Sequence, residues 1–201
     1  MTLPWNGKII LAPAILLSMA TPDAESRTQP STEADRNAME MAQRACSAQD
    51  FRALLSAMSV SAAVRERYSA PSIEVSLLDR QGAPLSTRKV TAATYDAFPV
   101  RQIDYYYKPA KPSVSGDEDS YLDLQFNQSQ SNVYSVEWAE VHFDGKSDGG
   151  DDLGGMIDAD GNPVPPGDHP DAQGQLLFQP TSDCWQLVAD IRWAQDRSPK
   201  G

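Results

Sequence analysis

Apolar positions along the chain follow two different periods. Phe51, Leu54, Leu55 and Met58 stand at i, i+3, i+4 and i+7 behind a capping-box-like pair, Ser47 and Asp50. That spacing predicts an amphipathic helix with its apolar stripe turned to a sheet. A shorter helical stretch over residues 39–44 precedes it beside Cys46. Ser61 is placed to cap another short helix carrying Val64 and Tyr68, which Pro71 ends. From Ser72 the period changes to two. Ile73, Val75 and Leu77 alternate with Ser72, Glu74 and Ser76, and the turn Gln81-Gly82-Ala83-Pro84 leads into a second strand over residues 85–90.

The alternation continues further on. Residues 91–98 read as a helical turn or loop stopped by Pro99, and residues 100–108 read as one strand with Ile103, Tyr105 and Tyr107 alternating. Leu122, Leu124 and Phe126 mark the next strand, followed by a long one over residues 133–143. There Tyr134, Val136 and Trp138 share one face while Ala139, Val141 and Phe143 share the other, so either a bulge near Ala139 or burial of both faces is expected. The last hairpin pairs residues 176–179 with 184–193, and plain alternation puts Trp185, Leu187, Ala189, Ile191 and Trp193 on one face. Strands joined by short turns behind N-terminal helices predict an α+β fold, with the helices packed on one face of a curved antiparallel sheet. Before the last hairpin, residues 144–173 hold many glycines, four prolines and eight aspartates. Loops of this length are functional or disordered more often than structural.

The N-terminus reads as a targeting signal. One lysine, an apolar run over residues 9–17 and the small residues Ser18, Met19 and Ala20 form a cleavable signal peptide over residues 1–20. The run is shorter than the roughly 20 residues that span a bilayer, so membrane contact is expected only through the signal before cleavage. A polar, disordered leader over residues 21–37, one domain over residues 38–195 and a flexible tail over residues 196–201 complete the expected layout. The location is then the periplasm or beyond it. In that oxidising setting Cys46 and Cys184, the two cysteines of the chain, read first as a bridge; two inert buried thiols or one nucleophilic cysteine are the alternatives.

Charge narrows the partners. Across 201 residues, 17 Lys and Arg stand against 28 Asp and Glu, a formal charge of -11. Such an excess repels phosphate backbones, so nucleic-acid binding is not expected, whereas a basic protein or a polar polymer of the cell envelope is compatible. Asp148, Asp151 and Asp152 are candidate contact residues for such a partner, and Tyr106 within the run Tyr105-Tyr106-Tyr107 is another. Asp158, Asp160 and Asn162 have the i, i+2, i+4 spacing that can wrap Ca2+, although Pro163 and His169 stand where an EF-hand loop needs glycine and glutamate. No other cofactor is expected. His142 beside Glu140 is the one acid/base couple in view, with Asp123 as a second carboxylate, and a solvent-facing His–Glu pair is its plainer reading. No serine sits in a Gly-x-Ser-x-Gly elbow, and no phosphate loop or dinucleotide fingerprint occurs.

At Phe51, Val64-Arg65, Tyr68-Ser69-Ala70-Pro71 and again at Cys184-Trp185-x-Leu187-x-x-Asp190, the chain resembles uncharacterised exported proteins of Gram-negative bacteria. The layout of N-terminal helices and a closing Trp-x-Leu strand is similar to the NTF2-like superfamily, helices wrapped in a curved sheet. Its long acidic loop and its early hairpin over residues 72–90 depart from that layout. The resemblance implies a pocket and leaves the activity open, since fold does not settle function. Two expectations follow. One is an exported, non-enzymatic binding or interaction domain, in a specific form an inhibitor or immunity-type protein for a basic effector. The other is a small-molecule-binding or enzymatic domain using His142 with Glu140 or Asp123.

Overall fold

The computed structural model describes residues 32–113, 116–146, 153–158, 160–165 and 173–194. The signal over residues 1–20, the leader up to residue 31, the tail over residues 196–201 and Asp148, Asp151, Asp152 and His169 lie outside them.

Three helices lead: α1 (Glu33–Ala48), α2 (Phe51–Val60) and α3 (Ala62–Arg67). Helix α1 is longer than the stretch expected over residues 39–44, because Thr32 caps it by accepting from the Asp35 amide. Cys46 therefore lies in its last turn. Asp50 rather than Ser47 caps α2, accepting from the Ala53 amide, while Ser47 bonds back to the Gln43 carbonyl; Ser61 caps α3 as its position predicts.

The strands are β1 (Ser69–Leu78), β2 (Pro84–Thr91), β3 (Val100–Ile103), β4 (Tyr106–Pro109), β5 (Tyr121–Gln128), β6 (Tyr134–Phe143), β7 (Met156–Ile157), β8 (Gly174–Pro180) and β9 (Trp185–Trp193). Seven of them form a sheet in the order β2-β1-β9-β8-β6-β5, with β7 added to the end of β6, and β3 and β4 form a separate two-stranded sheet. Every hairpin is antiparallel, but β1 and β9 pair in parallel, so the α+β sheet is mixed. The stretch over residues 100–108 is not one strand. It turns at Asp104, whose φ of 52° is one that aspartate tolerates, and Ile103 pairs with Tyr106 across that turn, leaving Tyr105 94% exposed.

The core lies between α2 and the sheet. Phe51 stacks on Tyr134 at 4.0 Å and meets Phe178 and Trp185 edge-on at 4.9 Å and 5.6 Å. Leu54, Leu55 and Met58 are fully buried beside it, so the helical stripe faces the sheet as its spacing predicts. A disulfide joins Cys46 of α1 to Cys184 just before β9, with 4.8 Å between their Cα atoms. It closes a loop 138 residues apart in sequence, a constraint on the unfolded chain of about 4–5 kcal/mol in the chain-entropy description.

Register decides which side chains join this face. Strands β5 and β6 pair without a shift, so the change of face near Ala139 reflects burial on both sides rather than a bulge: Val136 is buried in the main core, Ala139 and Val141 outside it. On β9 the outcome is the reverse. Leu177 pairs with Ala189 and Phe178 with Leu187, which leaves Val188 as an extra residue. Past that bulge Asp190 lies opposite Leu176 and Arg192 opposite Gly174. Directly opposed residues share a face, so Asp190 and Arg192 turn inward, and Ala189, Ile191 and Trp193 do not continue the face of Trp185 and Leu187.

Candidate functional site

The inward turn of β9 gives the helix-facing side of the sheet a polar end. Asp190 is completely buried, and its carboxylate accepts from the Tyr95 hydroxyl at 2.8 Å and from Arg192 through Nε at 3.2 Å and Nη2 at 2.7 Å. Arg192 Nη2 also donates to the Ala97 carbonyl. Residues 92–99 are thereby tied to the sheet by groups some ninety-five positions apart. Burial and then the neighbouring Asp190 carboxylate push the Tyr95 phenol far above its ordinary value, so it stays a donor. Burial works against the Arg192 charge, but bonding to Asp190 outweighs it and raises the guanidinium above its ordinary value.

A second set of bonds closes the other wall. Glu140, on β6 and buried, accepts from the Ser113 amide at both carboxylate oxygens, 3.1 Å and 3.0 Å, and from the Ser120 hydroxyl at 2.5 Å. Two residues further along β6, His142 Nε2 lies 2.8 Å from Asp117 Oδ2. The His142 bond holds the Asp117 carboxyl below its ordinary value. The expected couple of His142 with Glu140 is thus divided, each side chain gripping a different point of residues 113–120. Asp123 pairs in register with Ala139, whereas Glu140 pairs with Leu122, so alternation places Asp123 on the opposite face of the sheet.

Between these walls is a cavity of about 170 Å3. Trp138, Glu140, Gln173 and Arg192 line it together with Phe98, Pro99, Pro109 and Ala110. Trp138 lies over Gly174, its cross-strand partner: a Cβ at that glycine would sit 2.4 Å from the indole ring, so a side chain there displaces the tryptophan. The Trp138 Nε1 donor is buried without an acceptor. A buried donor left unbonded costs about 1–3 kcal/mol, which an acceptor reaching it would recover.

The other predicted residues lie apart from this cavity. Asp158 accepts from the Asp160 and Asn162 amides at 2.8 Å and 2.9 Å and from the Asn162 side-chain nitrogen at 3.0 Å, so the spacing read for calcium builds a tight turn on N–H donors. These donors, the Asn162 side chain first, hold the Asp158 carboxyl below its ordinary value. No group of three or more metal-ligating side chains occurs among the described residues. Tyr106 meets Tyr121 edge-on at 5.6 Å, with Lys108 Nζ 4.4 Å over the Tyr121 ring, along a separate groove of about 250 Å3. Tyr107 instead turns to α2, its hydroxyl 3.0 Å from that of Ser56.

Trp138, Arg192, Asp190 and Tyr95 carry the site, and periodicity alone did not single them out. The available signals were slight: a charged pair, Asp190 and Arg192, two apart in an apolar strand, and Gly174 at the head of a strand facing a tryptophan. Among the described residues no helix is long and apolar enough to cross a membrane. The disulfide is compatible with an oxidising compartment.

No protein-family model matches the chain, and no curated protein matches it. Among solved structures it is similar to an NTF2-like protein of unknown function from Shewanella baltica OS155, at 6% identity and a TM-score of 0.28 over 79% of this chain and 88% of that one. It is also similar to an NTF2-like protein from Cytophaga hutchinsonii ATCC 33406, at 9% identity and a TM-score of 0.27 over 80% and 94%.

Proposed function

We propose that this chain is an exported, non-enzymatic binding module that holds a small molecule in the cavity over Trp138. The observation that carries the reading is a pre-shaped cavity lined by Trp138, whose indole Nε1 is buried without an acceptor. The neighbouring carboxylates support binding over catalysis. Glu140 and Asp190 are both buried and each accepts three hydrogen bonds from the protein, which suits fixed walls better than a base free to take a proton. Both cysteines are joined to each other, so neither is a nucleophile.

The test is an NMR fragment screen on the purified chain. Bound fragments should shift the Trp138 indole and the amides of Ala97 and Ala110. Ala110→Leu, at an exposed position of the cavity lining, should abolish those shifts without lowering Tm. Hits scattered over other surfaces, or none at all, would overturn the reading.

A further inference from the structure

The cavity over Trp138 shares Asp96, Phe98 and Ala110 with a second hollow of about 420 Å3. That hollow is walled by Arg65 at the end of α3 and by Arg101 on β3. Among the described residues the two are lined by four basic side chains, Arg65, Arg101, Lys111 and Arg192, against two acidic ones, Asp96 and Glu140. In a chain of formal charge -11 this is a local reversal of sign.

Arg65 is the most telling of the four. Its Nη1 donates to the Met58 carbonyl at 2.8 Å and its guanidinium stands 5.6 Å from the Phe98 ring centre. Among the described residues no carboxylate reaches ion-pair distance of it. Burial pulls its proton affinity below the ordinary value, and Tyr95 and Asp35 only partly restore it. A half-buried cation held by a carbonyl and a ring, facing a hollow, is best balanced by an anion that enters from outside. Arg192, in contrast, already has Asp190.

We infer that the two hollows form one groove for an organic anion. Its acidic head sits against Arg65 and Arg101, and its apolar body crosses Phe98 to rest over Trp138. The inference builds on the binding reading above and adds the chemical class of the ligand and the direction in which it lies. No bond is made or broken in this step.

Two dyes with the same aryl body test it. 8-Anilinonaphthalene-1-sulfonate carries an anion, and N-phenyl-1-naphthylamine lacks it. Fluorescence titration of the full chain should show that Arg65→Met combined with Arg101→Gln weakens the sulfonate by roughly tenfold or more, the worth of a charge-assisted contact, and leaves the neutral dye unchanged. Arg101→Gln alone, at an exposed position, should weaken the sulfonate selectively by a smaller factor and serves if the double variant folds poorly. Ala110→Leu, where the hollows meet, should weaken both dyes. Equal binding of both dyes, insensitive to the arginine substitutions, would overturn the anion inference while the cavity reading stands. Binding of neither dye would overturn both.

Discussion

The two ends of one sheet face are built on opposite principles. Under the start of α2, Phe51 fits among Tyr134, Phe178 and Trp185 with ring contacts of 4.0 to 5.6 Å, and the disulfide pins the same corner. Strands β6 and β9 continue along the same face, yet at the far end the layer over the sheet is held by directed hydrogen bonds to Asp190 and Glu140, and a cavity of about 170 Å3 remains. Dispersion and apolar burial act in every direction and reward filling space. Hydrogen bonds act along a few directions, so a layer held by them can span a gap without filling it. One end of the face supplies stability, and the other keeps a pre-shaped hollow.

The largest expected effect tests the filled end. Phe51→Ala should cost about 3–5 kcal/mol in urea denaturation, the range for truncating a buried aromatic, and should leave the dye-binding ratio of the folded fraction intact. A loss of ability to distinguish the dyes would mean that the two ends are one unit. Next comes the spanned end. Asp190→Asn preserves the shape but leaves Arg192 without its counter-charge, and should cost on the order of 3 kcal/mol. A cost near zero would show that residues 92–99 are held by packing, and the contrast between the ends would then fail.

The smallest effect is one of pH. Tyr95 keeps its proton in the folded state to well above its ordinary value, whereas the unfolded chain releases it near pH 10. The Tyr95 contribution is therefore fully present below about pH 10 and is lost as the pH rises beyond it, because ionisation then favours the unfolded chain. Tyr95→Phe should cost about 1 kcal/mol at neutral pH and flatten that alkaline decline. An alkaline slope unchanged by the substitution would place its origin elsewhere.

Much of the filled end was legible in the sequence. The i, i+3, i+4, i+7 spacing of Phe51, Leu54, Leu55 and Met58 named the residues that meet the sheet, and the presence of two cysteines in the whole chain allowed one bridge. The spanned end was legible only in fragments. Glu140 was singled out, but for a partnership with His142 that the structure divides between Ser113, Ser120 and Asp117. The strand expected over residues 100–108 failed for a related reason: alternation of Ile103, Tyr105 and Tyr107 looks the same whether the chain runs straight or turns at Asp104.

By itself, then, the sequence determined helices α2 and α3, the first and last hairpins, the α+β class and the apolar stripe that seeks the sheet, because those properties follow from periods of 3.6 and 2 within short segments. Only the tertiary structure decided that Val188 bulges and that Asp190 and Arg192 face inward. A bulge depends on which partner strand is matched and on what waits beneath it. Here that is β8 on one side and, from about ninety-five residues earlier, the Tyr95 hydroxyl and the Ala97 carbonyl that make burying the charged pair tolerable.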